Sequence, residues 1–247
     1  MPISARPALP ATTASVSRMI EDGQAAAAEA AVAVPVWDLP VRLVHWSIAL
    51  LVAFSWWSAE NEKIEWHIRS GLTILFLLLF RLLWGILGSS TARFSSFVPG
   101  PARIASYLRD PAGWTGVGHT PLGALSVVAL LFVLVLQVAF GLPLSDEDGI
   151  VSGPLNRLVS FDFAESAHDV HEILFNILLA LIVLHVAAIL YYRWKGRRLV
   201  RAMVTGWRND YPVGTQGLVK ADAGQLVISL AIAAGITWWI ANGVPGL

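Results

Sequence analysis

The chain contains no cysteine, and that absence excludes several kinds of chemistry at once. Disulfide bonds, iron–sulfur clusters and haem bound covalently through a C-x-x-C-H motif all depend on cysteine thiols. Charged residues are also scarce: Asp, Glu, Lys and Arg make up only 14% of the 247 residues, against about 25% in an average soluble domain. The sequence carries no nucleic-acid motif, and we expect no nucleic-acid partner. This composition is typical of a membrane protein.

Hydrophobic residues make up 56% of the chain, and they are clustered rather than dispersed. Mean hydropathy is +0.64. Five apolar segments approach the roughly 20 residues that an α-helix needs to cross the hydrocarbon core, and they cover residues 43–59, 67–88, 122–142, 170–192 and 225–242. The fifth segment is rich in small residues and only just long enough. We therefore predict an all-α integral membrane protein, with a four-helix transmembrane bundle, a fifth C-terminal transmembrane helix and membrane lipid around it.

Three regions follow from this pattern. Residues 1–34 are rich in Ala, Ser, Thr and Pro and contain neither an aromatic residue nor a compact apolar stretch beside basic residues. They favour a disordered tail over a cleaved signal peptide. Residues 35–206 hold the bundle, and residues 207–247 form an extension with the fifth helix. A proline-bracketed stretch between the second and third spans predicts a short helix, whose Arg103, Tyr107 and Arg109 suit the lipid headgroup interface.

Basic residues are distributed unequally between the two sides of the membrane. With the N-terminus in the cytoplasm, thirteen basic residues lie on the cytoplasmic side and three, Lys63, Arg69 and Arg157, lie outside. The positive-inside rule therefore predicts a cytoplasmic N-terminus. The outer side also collects ten acidic residues, which serve either ordinary solvation or the docking of a basic soluble partner: Glu60, Glu62, Glu65, Asp146, Glu147, Asp148, Asp162, Glu165, Asp169 and Glu172.

His171 and His185 lie in one apolar segment, and an ionisable residue inside a membrane segment is a candidate functional residue by default. Their separation of fourteen residues corresponds to a rise of about 21 Å along an α-helix and falls roughly 40° short of a whole number of turns, so the two side chains share one face at two depths. On this topology, His67 lies level with His171 near the outer side. His45 lies level with His185 near the cytoplasmic side.

Each level brings two imidazoles from different helices to the interior of the bundle. A zinc site gathers three or four ligands in one shell, whereas two facing imidazoles suit the axial positions of a haem iron. We therefore predict two haems, one held by His67 with His171 and one by His45 with His185. The alternative is a haem-free membrane anchor that buries its histidines for structural reasons.

Two arginines near the inner level are suited to neutralise haem propionates. Arg81 follows His67 by fourteen residues and so shares its helix face at the inner level, and Arg42 lies about one helical turn before His45. Arg42 could instead be one of the basic residues that ordinarily flank a span on the cytoplasmic side. Arg81 could instead extend its side chain to the nearby cytoplasmic membrane interface.

Two further histidines have weaker assignments. His168 falls about 100° off the face that His185 shares with His171, so His171 is the better ligand. His168 could line a proton path, form a hydrogen bond to a substrate or simply be exposed at the end of a loop. An exposed position at a loop end is also the interpretation for His119. Gln137, in the third span, is expected to form a hydrogen bond between helices.

Four short motifs carry a resemblance to a known family. They are "VWDLPVRLVHW" at 36–46, "WHIRSGL" at 66–72, "GHTPLGALS" at 118–126 and "HEILFNILLALIVLH" at 171–185. In this order and spacing they resemble the signatures of the prokaryotic cytochrome b561 and nickel–iron hydrogenase b-type cytochrome family. The resemblance extends from about residue 36 to residue 206.

The resemblance implies a bundle with two haem b groups and with His45, His67, His171 and His185 as axial ligands. It also implies electron transfer, in the bacterial inner membrane, between quinone and a partner such as a c-type cytochrome, a hydrogenase or another periplasmic redox protein. The alternative is a self-contained quinol-dependent oxidoreductase such as a superoxide oxidase, although the acidic outer face would repel the superoxide anion. The N-terminal tail and the fifth segment depart from the family pattern and leave the partner open.

Overall fold

The computed structural model describes residues 31–111, 113–145 and 151–246, which form a helical bundle with a small sheet at one end. The helices long and apolar enough to cross a membrane are α1 (Leu39–Glu60), α2 (Ile64–Leu87), α5 (Pro121–Gly141), α6 (Phe161–Trp194) and α8 (Ala223–Ala241). The shorter elements are β1 (Ala31–Pro35), α3 (Phe94–Phe97), α4 (Pro101–Arg109), α7 (Leu199–Thr205) and β2 (Trp207–Pro212). The predicted all-α integral membrane fold is confirmed.

Capping residues set the starts of the long helices. Asp38 accepts a hydrogen bond of 2.8 Å from the backbone N–H of Val41 at the start of α1, and Thr120 accepts one of 3.2 Å from Gly123 at the start of α5. A proline occupies the first turn of both helices, where its missing N–H costs nothing. These side chains satisfy N–H groups that have no partner within the helix.

The long helices pack in pairs. Helix α1 packs on α2, α5 packs on α6, and α8 packs on α2. Over the described residues, α1 and α6 have little direct backbone contact, although they carry His45 and His185. A buried apolar cluster joins α2, α5 and α6 in the stretch between the two histidine levels, and its residues are Ile74, Leu78, Val133, Leu134, Leu174 and Leu178.

The two ends of the bundle differ in charge. We name the end where α1 begins, with α3, α4, α7 and the sheet, the basic end. The opposite end, with the turn between α1 and α2 and the start of α6, is the acidic end. His45 and His185 lie toward the basic end, and His67 and His171 lie toward the acidic end.

Strands β1 and β2 pair antiparallel at the basic end, with Ala31 opposite Pro212 and Pro35 opposite Trp207. The predicted disordered tail over residues 1–34 is therefore wrong for residues 31–34, and residues 1–30 lie outside the described part of the chain. The error has a physical reason, since the partner strand follows α7 and no local pattern signals a pairing over that separation.

Two other predictions need correction. Helix α6 begins at Phe161, well before the predicted span at residues 170–192, because its acidic first turns are helical but too polar to count as apolar. Helix α4 confirms the short helix between the second and third spans. Its Tyr107, however, is buried, and its hydroxyl lies 3.1 Å from that of Tyr192, so this side chain packs inside the protein and does not face lipid headgroups.

Candidate cofactor site

The histidine pair toward the acidic end joins α2 and α6. The ring centres of His67 and His171 lie 6.1 Å apart, and the ring planes are inclined at 81°. The His67 Nδ1 donates to the backbone oxygen of Ser55 at 2.9 Å, and the His171 Nδ1 donates to the backbone oxygen of Gln137 at 2.8 Å. Because a carbonyl oxygen only accepts, both imidazoles carry their proton on Nδ1 and keep the Nε2 lone pair for a ligand bond.

The pair toward the basic end joins α1 and α6. The ring centres of His45 and His185 lie 6.5 Å apart, with the planes inclined at 50°. The Nδ1 of His185 lies 3.4 Å from the hydroxyl oxygen of Ser126. The Nδ1 of His45 is buried without a hydrogen-bond partner among the described residues. This pair is therefore oriented less firmly than the first.

The spacing of both pairs fits two imidazoles on one metal ion. A metal–nitrogen bond to imidazole is about 2 Å long and the ring centre lies roughly 1 Å beyond the nitrogen, so two opposed ligands place their ring centres about 6 Å apart. The observed distances of 6.1 and 6.5 Å match this arrangement. Within the described ranges, no three His, Cys, Asp or Glu side chains gather as a metal site, so the histidines stand as pairs.

A cavity of about 520 Å³ adjoins the acidic-end pair. Both imidazoles line it, together with Gly71, one helical turn beyond His67 on α2. A Cβ atom added at Gly71 would meet no atom within 4 Å, so the absence of a side chain there leaves room beside His67. The cavity extends to the surface, since the exposed residues Glu60 and His168 also line it. A flat cofactor between the two imidazoles fits this space.

The two arginines proposed for propionates both lie toward the basic end. Arg81 is buried, donates to the backbone oxygen of Ala92 at 3.3 Å and lies 5.0 Å from the ring of Phe94. Arg42 donates to the backbone oxygen of Thr205 at 3.1 Å. The structure thus places both arginines at the level of His45 and His185, where each donates a hydrogen bond to a backbone carbonyl.

The two remaining histidines differ from each other. His168 lies inside α6, not at a loop end, and its side chain is 50% exposed and 4.0 Å from the carboxylate of Asp169. His119 is held between the rings of Trp37 and Phe97, each with its centre 4.5 Å away. Exposure at a loop end is therefore wrong for His119. Burial, with smaller contributions from the nearby Arg81 and His185, lowers its pKa to about 3.

The sequence reasoning missed the groups that orient the histidines. Gln137 was expected to use its side chain, but its backbone oxygen holds His171, and its side-chain oxygen is buried with no partner among the described residues. The backbone oxygen of Ser55 has the same role for His67. A backbone carbonyl leaves no mark in the sequence. Gly71 did leave a signal, since glycine is the poorest helix former after proline.

Comparison with known proteins identifies the family of the chain. The model of the family described as prokaryotic cytochrome b561 matches residues 36–206, which is more than half of the chain. No curated protein and no solved structure matches the chain significantly. The matched region contains both histidine pairs and ends before β2 and α8. The chain therefore belongs to the prokaryotic cytochrome b561 family, whose b-type haem transfers electrons within the membrane.

Proposed function

We propose that the chain binds two haem b groups, one at each histidine pair, and carries electrons between membrane quinone and a redox partner at the acidic end. The observation that carries this proposal is the spacing of the ring centres, 6.1 Å in one pair and 6.5 Å in the other. Two pairs with the spacing of axial ligands, at two depths of one bundle, suit two haems.

The ligand type favours electron transfer over the binding of a small molecule at iron. A haem held by His67 with His171, or by His45 with His185, would have imidazole at every position open to a ligand, and would supply electron transfer rather than binding of a small molecule. The chain contributes by holding the rings in place. The Ser55 and Gln137 carbonyls fix His67 and His171, and a fixed ligand set reduces the reorganisation that accompanies each electron.

Two depths are needed for conduction across a bilayer about 30 Å thick. His171 and His185 are separated on α6 by fourteen residues, or about 21 Å, so the two sites together span most of the hydrocarbon core. The apolar cluster between the levels, which includes Leu78 and Leu174, keeps water out of the intervening space.

Arg42 and Arg81 are proposed to face the propionates of the basic-end haem. Arg81 is buried, and a buried cation is stable only beside groups that compensate its charge. Its direct partners are a backbone carbonyl and an aromatic ring, and the nearby carboxylate of Asp38 accepts hydrogen bonds from Trp84 and Val41 instead. A propionate would supply a negatively charged partner in direct contact.

Charge supports the choice of the acidic end for the partner. Glu60, Glu62, Glu65 and Glu165 are all exposed there, whereas Asp146, Glu147 and Asp148 lie outside the described residues. A basic periplasmic protein, such as a c-type cytochrome, or a hydrogenase with a basic docking patch, would be attracted to this surface. The quinone and the inner-membrane location follow from the family resemblance.

The test is electron transfer across a sealed membrane. The purified haem-loaded protein is reconstituted in liposomes that enclose a membrane-impermeant oxidant, and a quinol is added outside. We expect oxidation of the quinol and reduction of the enclosed oxidant, with a rate at least tenfold lower for His185→Ala. The rate should be unchanged for Asn176→Ala, since Asn176 is exposed on the same helix and does not line the cavity. If the quinol reduces the haem but the enclosed oxidant never reacts, conduction between two levels is refuted.

One observation favours a self-contained oxidoreductase as the second candidate. The 520 Å³ cavity beside His67 and His171 reaches the surface and would admit a small redox reactant to the edge of a haem. Glu60 and Glu172 line it and would oppose an anion such as superoxide. Sustained reduction of quinone to quinol by the isolated protein, with two superoxide ions oxidised to dioxygen for each quinone, would favour this candidate over the partner-dependent one.

A further inference from the structure

A second cavity lies at the basic end, between α4 and the chain that leads into α5. Its volume is about 300 Å³, and we call it the α4 pocket. The residues that carry the argument among its lining are Ser96, Phe97, Arg103, Trp114, Thr115 and His119. We propose that the α4 pocket binds a phosphate group. The proposal does not depend on the haem assignment.

Two aromatic walls of the pocket are held in place by neighbouring elements. Tyr107 packs edge-on against Trp114, with the ring centres 6.0 Å apart, and Tyr107 is itself buried beside Tyr192 of α6. On the opposite side, Phe97 of α3 packs on His119 at 4.5 Å. The pocket therefore has rigid walls, as a binding site requires.

The sheet fixes the chain that closes the pocket. The Tyr211 hydroxyl of β2 accepts a hydrogen bond from the Gly118 N–H at 3.3 Å and donates to the Gly116 oxygen at 3.4 Å. Arg208 donates to the same hydroxyl at 3.0 Å. Residues 116–118 are thus held by a strand distant in sequence, which gives the pocket a defined shape.

The polar groups of the pocket call for a negatively charged acceptor. The guanidinium of Arg103 lies 5.9 Å from the ring centre of Trp114 and is permanently charged. Trp114 Nε1 is buried without a partner among the described residues, and so is His119 Nδ1. Arginine and the indole nitrogen only donate, so a ligand that satisfies both must offer oxygen acceptors and negative charge.

The surroundings contain little that would repel such a ligand. Among the described residues that line the pocket, none is acidic. Asp110, which follows α4, accepts a hydrogen bond from the Gly113 N–H at 3.0 Å and does not line the pocket. The nearest carboxylate in sequence thus has a partner of its own.

Free inorganic phosphate and the phosphodiester of an anionic phospholipid offer the same chemistry. The pocket lies at the end of the bundle where headgroups would surround α4, and Leu108 on that helix is 59% exposed. The test therefore measures both sources. It uses the full-length, haem-loaded protein in detergent with inorganic phosphate at constant ionic strength, and in nanodiscs of phosphatidylcholine with or without phosphatidylglycerol.

The readouts are the affinity for phosphate by calorimetry, the thermal midpoint, and retention of phosphatidylglycerol in native mass spectrometry. Arg103→Gln removes the charge at the pocket, and Arg109→Gln removes a charge from the same helix outside it. Trp114→Phe keeps an aromatic wall but removes the indole donor. Unchanged helical content and haem content show that each variant is folded.

We expect Arg103→Gln to weaken binding about tenfold or more, Trp114→Phe to weaken it less, and Arg109→Gln to leave it unchanged. Binding of inorganic phosphate in detergent would show that the free ion is sufficient, and retention of phosphatidylglycerol alone would identify a lipid headgroup as the ligand. Either result supports the proposal if the binding is lost in Arg103→Gln. Equal losses in Arg103→Gln and Arg109→Gln indicate general attraction by surface charge and overturn it, as does the absence of binding in both arms.

Discussion

The Nδ1 atoms of the four paired histidines differ in how they are held. Those of His67 and His171 donate to backbone oxygens at 2.9 and 2.8 Å, whereas His185 has only a hydroxyl at 3.4 Å and His45 has no partner among the described residues. A backbone carbonyl is fixed by its helix, so the acidic-end rings are oriented before any ligand binds. We infer that this pair binds its haem more firmly.

A single substitution in that pair should remove one haem. His171→Ala deletes one of the four proposed haem ligands, so we expect the haem content of the purified protein to fall by about half, with the low-spin spectrum of the other site preserved. Asn176→Ala is the matched control, because Asn176 is exposed on the same helix and does not line the cavity. Equal haem content in both variants, measured by the pyridine haemochrome assay, would show that His171 is not a ligand.

His119 should make the protein sensitive to acid. Burial, with smaller contributions from Arg81 and His185, lowers its pKa to about 3, from 6.5 as a free group. Between these values the unfolded chain binds a proton that the folded chain does not, so stability falls as the pH decreases below about 6.5, by at most about 1.4 kcal/mol per pH unit.

The measurement is the thermal midpoint at pH 7 and pH 5 in phosphate-free buffer. His119→Phe keeps a ring between Trp37 and Phe97 but cannot be protonated. We expect the thermal midpoint to decrease more in the wild-type protein than in the variant between pH 7 and pH 5. Equal losses would assign the acid sensitivity to other groups.

At the element scale, α2 is the central helix of the bundle. It contacts α1, α5 and α8, and it carries His67, Gly71 and Arg81. Gly85, on the same helix, lets Phe94 of α3 pack closely, since a Cβ there would lie 2.0 Å from that ring. The two glycines thus have different uses: Gly85 admits a neighbour, and Gly71 leaves space beside the histidine pair.

Filling the space at Gly71 should exclude the haem at the acidic end. Gly71→Leu places a side chain in the cavity where no atom lies within 4 Å, so the helix should remain stable while about half of the bound haem is lost. Gly235→Leu is the control, since its Cβ also meets nothing within 4 Å but Gly235 lies on α8 and does not line that cavity. Full haem content in Gly71→Leu would place the cofactor elsewhere.

At the scale of the whole molecule, charge distinguishes the two ends. The basic end carries most of the arginines, including Arg193, Arg197 and Arg201, and the acidic end carries the exposed glutamates. This asymmetry predicts that the basic end faces the cytoplasm. It would also direct a basic redox partner and an anionic lipid to opposite ends of one molecule.

The cysteine-free chain makes this orientation simple to measure. Lys63 and Lys220 are both exposed, one at each end, and any introduced cysteine is the only thiol. In intact bacterial cells we expect a membrane-impermeant maleimide to label Lys63→Cys and not Lys220→Cys. Both should be labelled after permeabilisation. Labelling of Lys220→Cys alone in intact cells would reverse the orientation.

Much of the fold was predictable because transmembrane helices are specified locally. Each apolar run is read from its own residues, and the helical rise then places His67 level with His171 and His45 level with His185, which are the pairs that the structure brings together. Their role as ligands stays a prediction. The sequence did not predict the first turns of α6 or the strand at residues 31–34, because neither has an apolar pattern that indicates its structure.

The sequence by itself determined the membrane class, the five helices, the depth of each histidine and the family, since these depend on composition, periodicity and short motifs. The tertiary structure alone decided which carbonyls orient His67 and His171, that His119 lies between two aromatic rings, and that Tyr211 holds the loop at Gly118. The reason is physical: the first set depends on residues near each other along the chain, and most of the second depends on contacts between residues far apart in sequence.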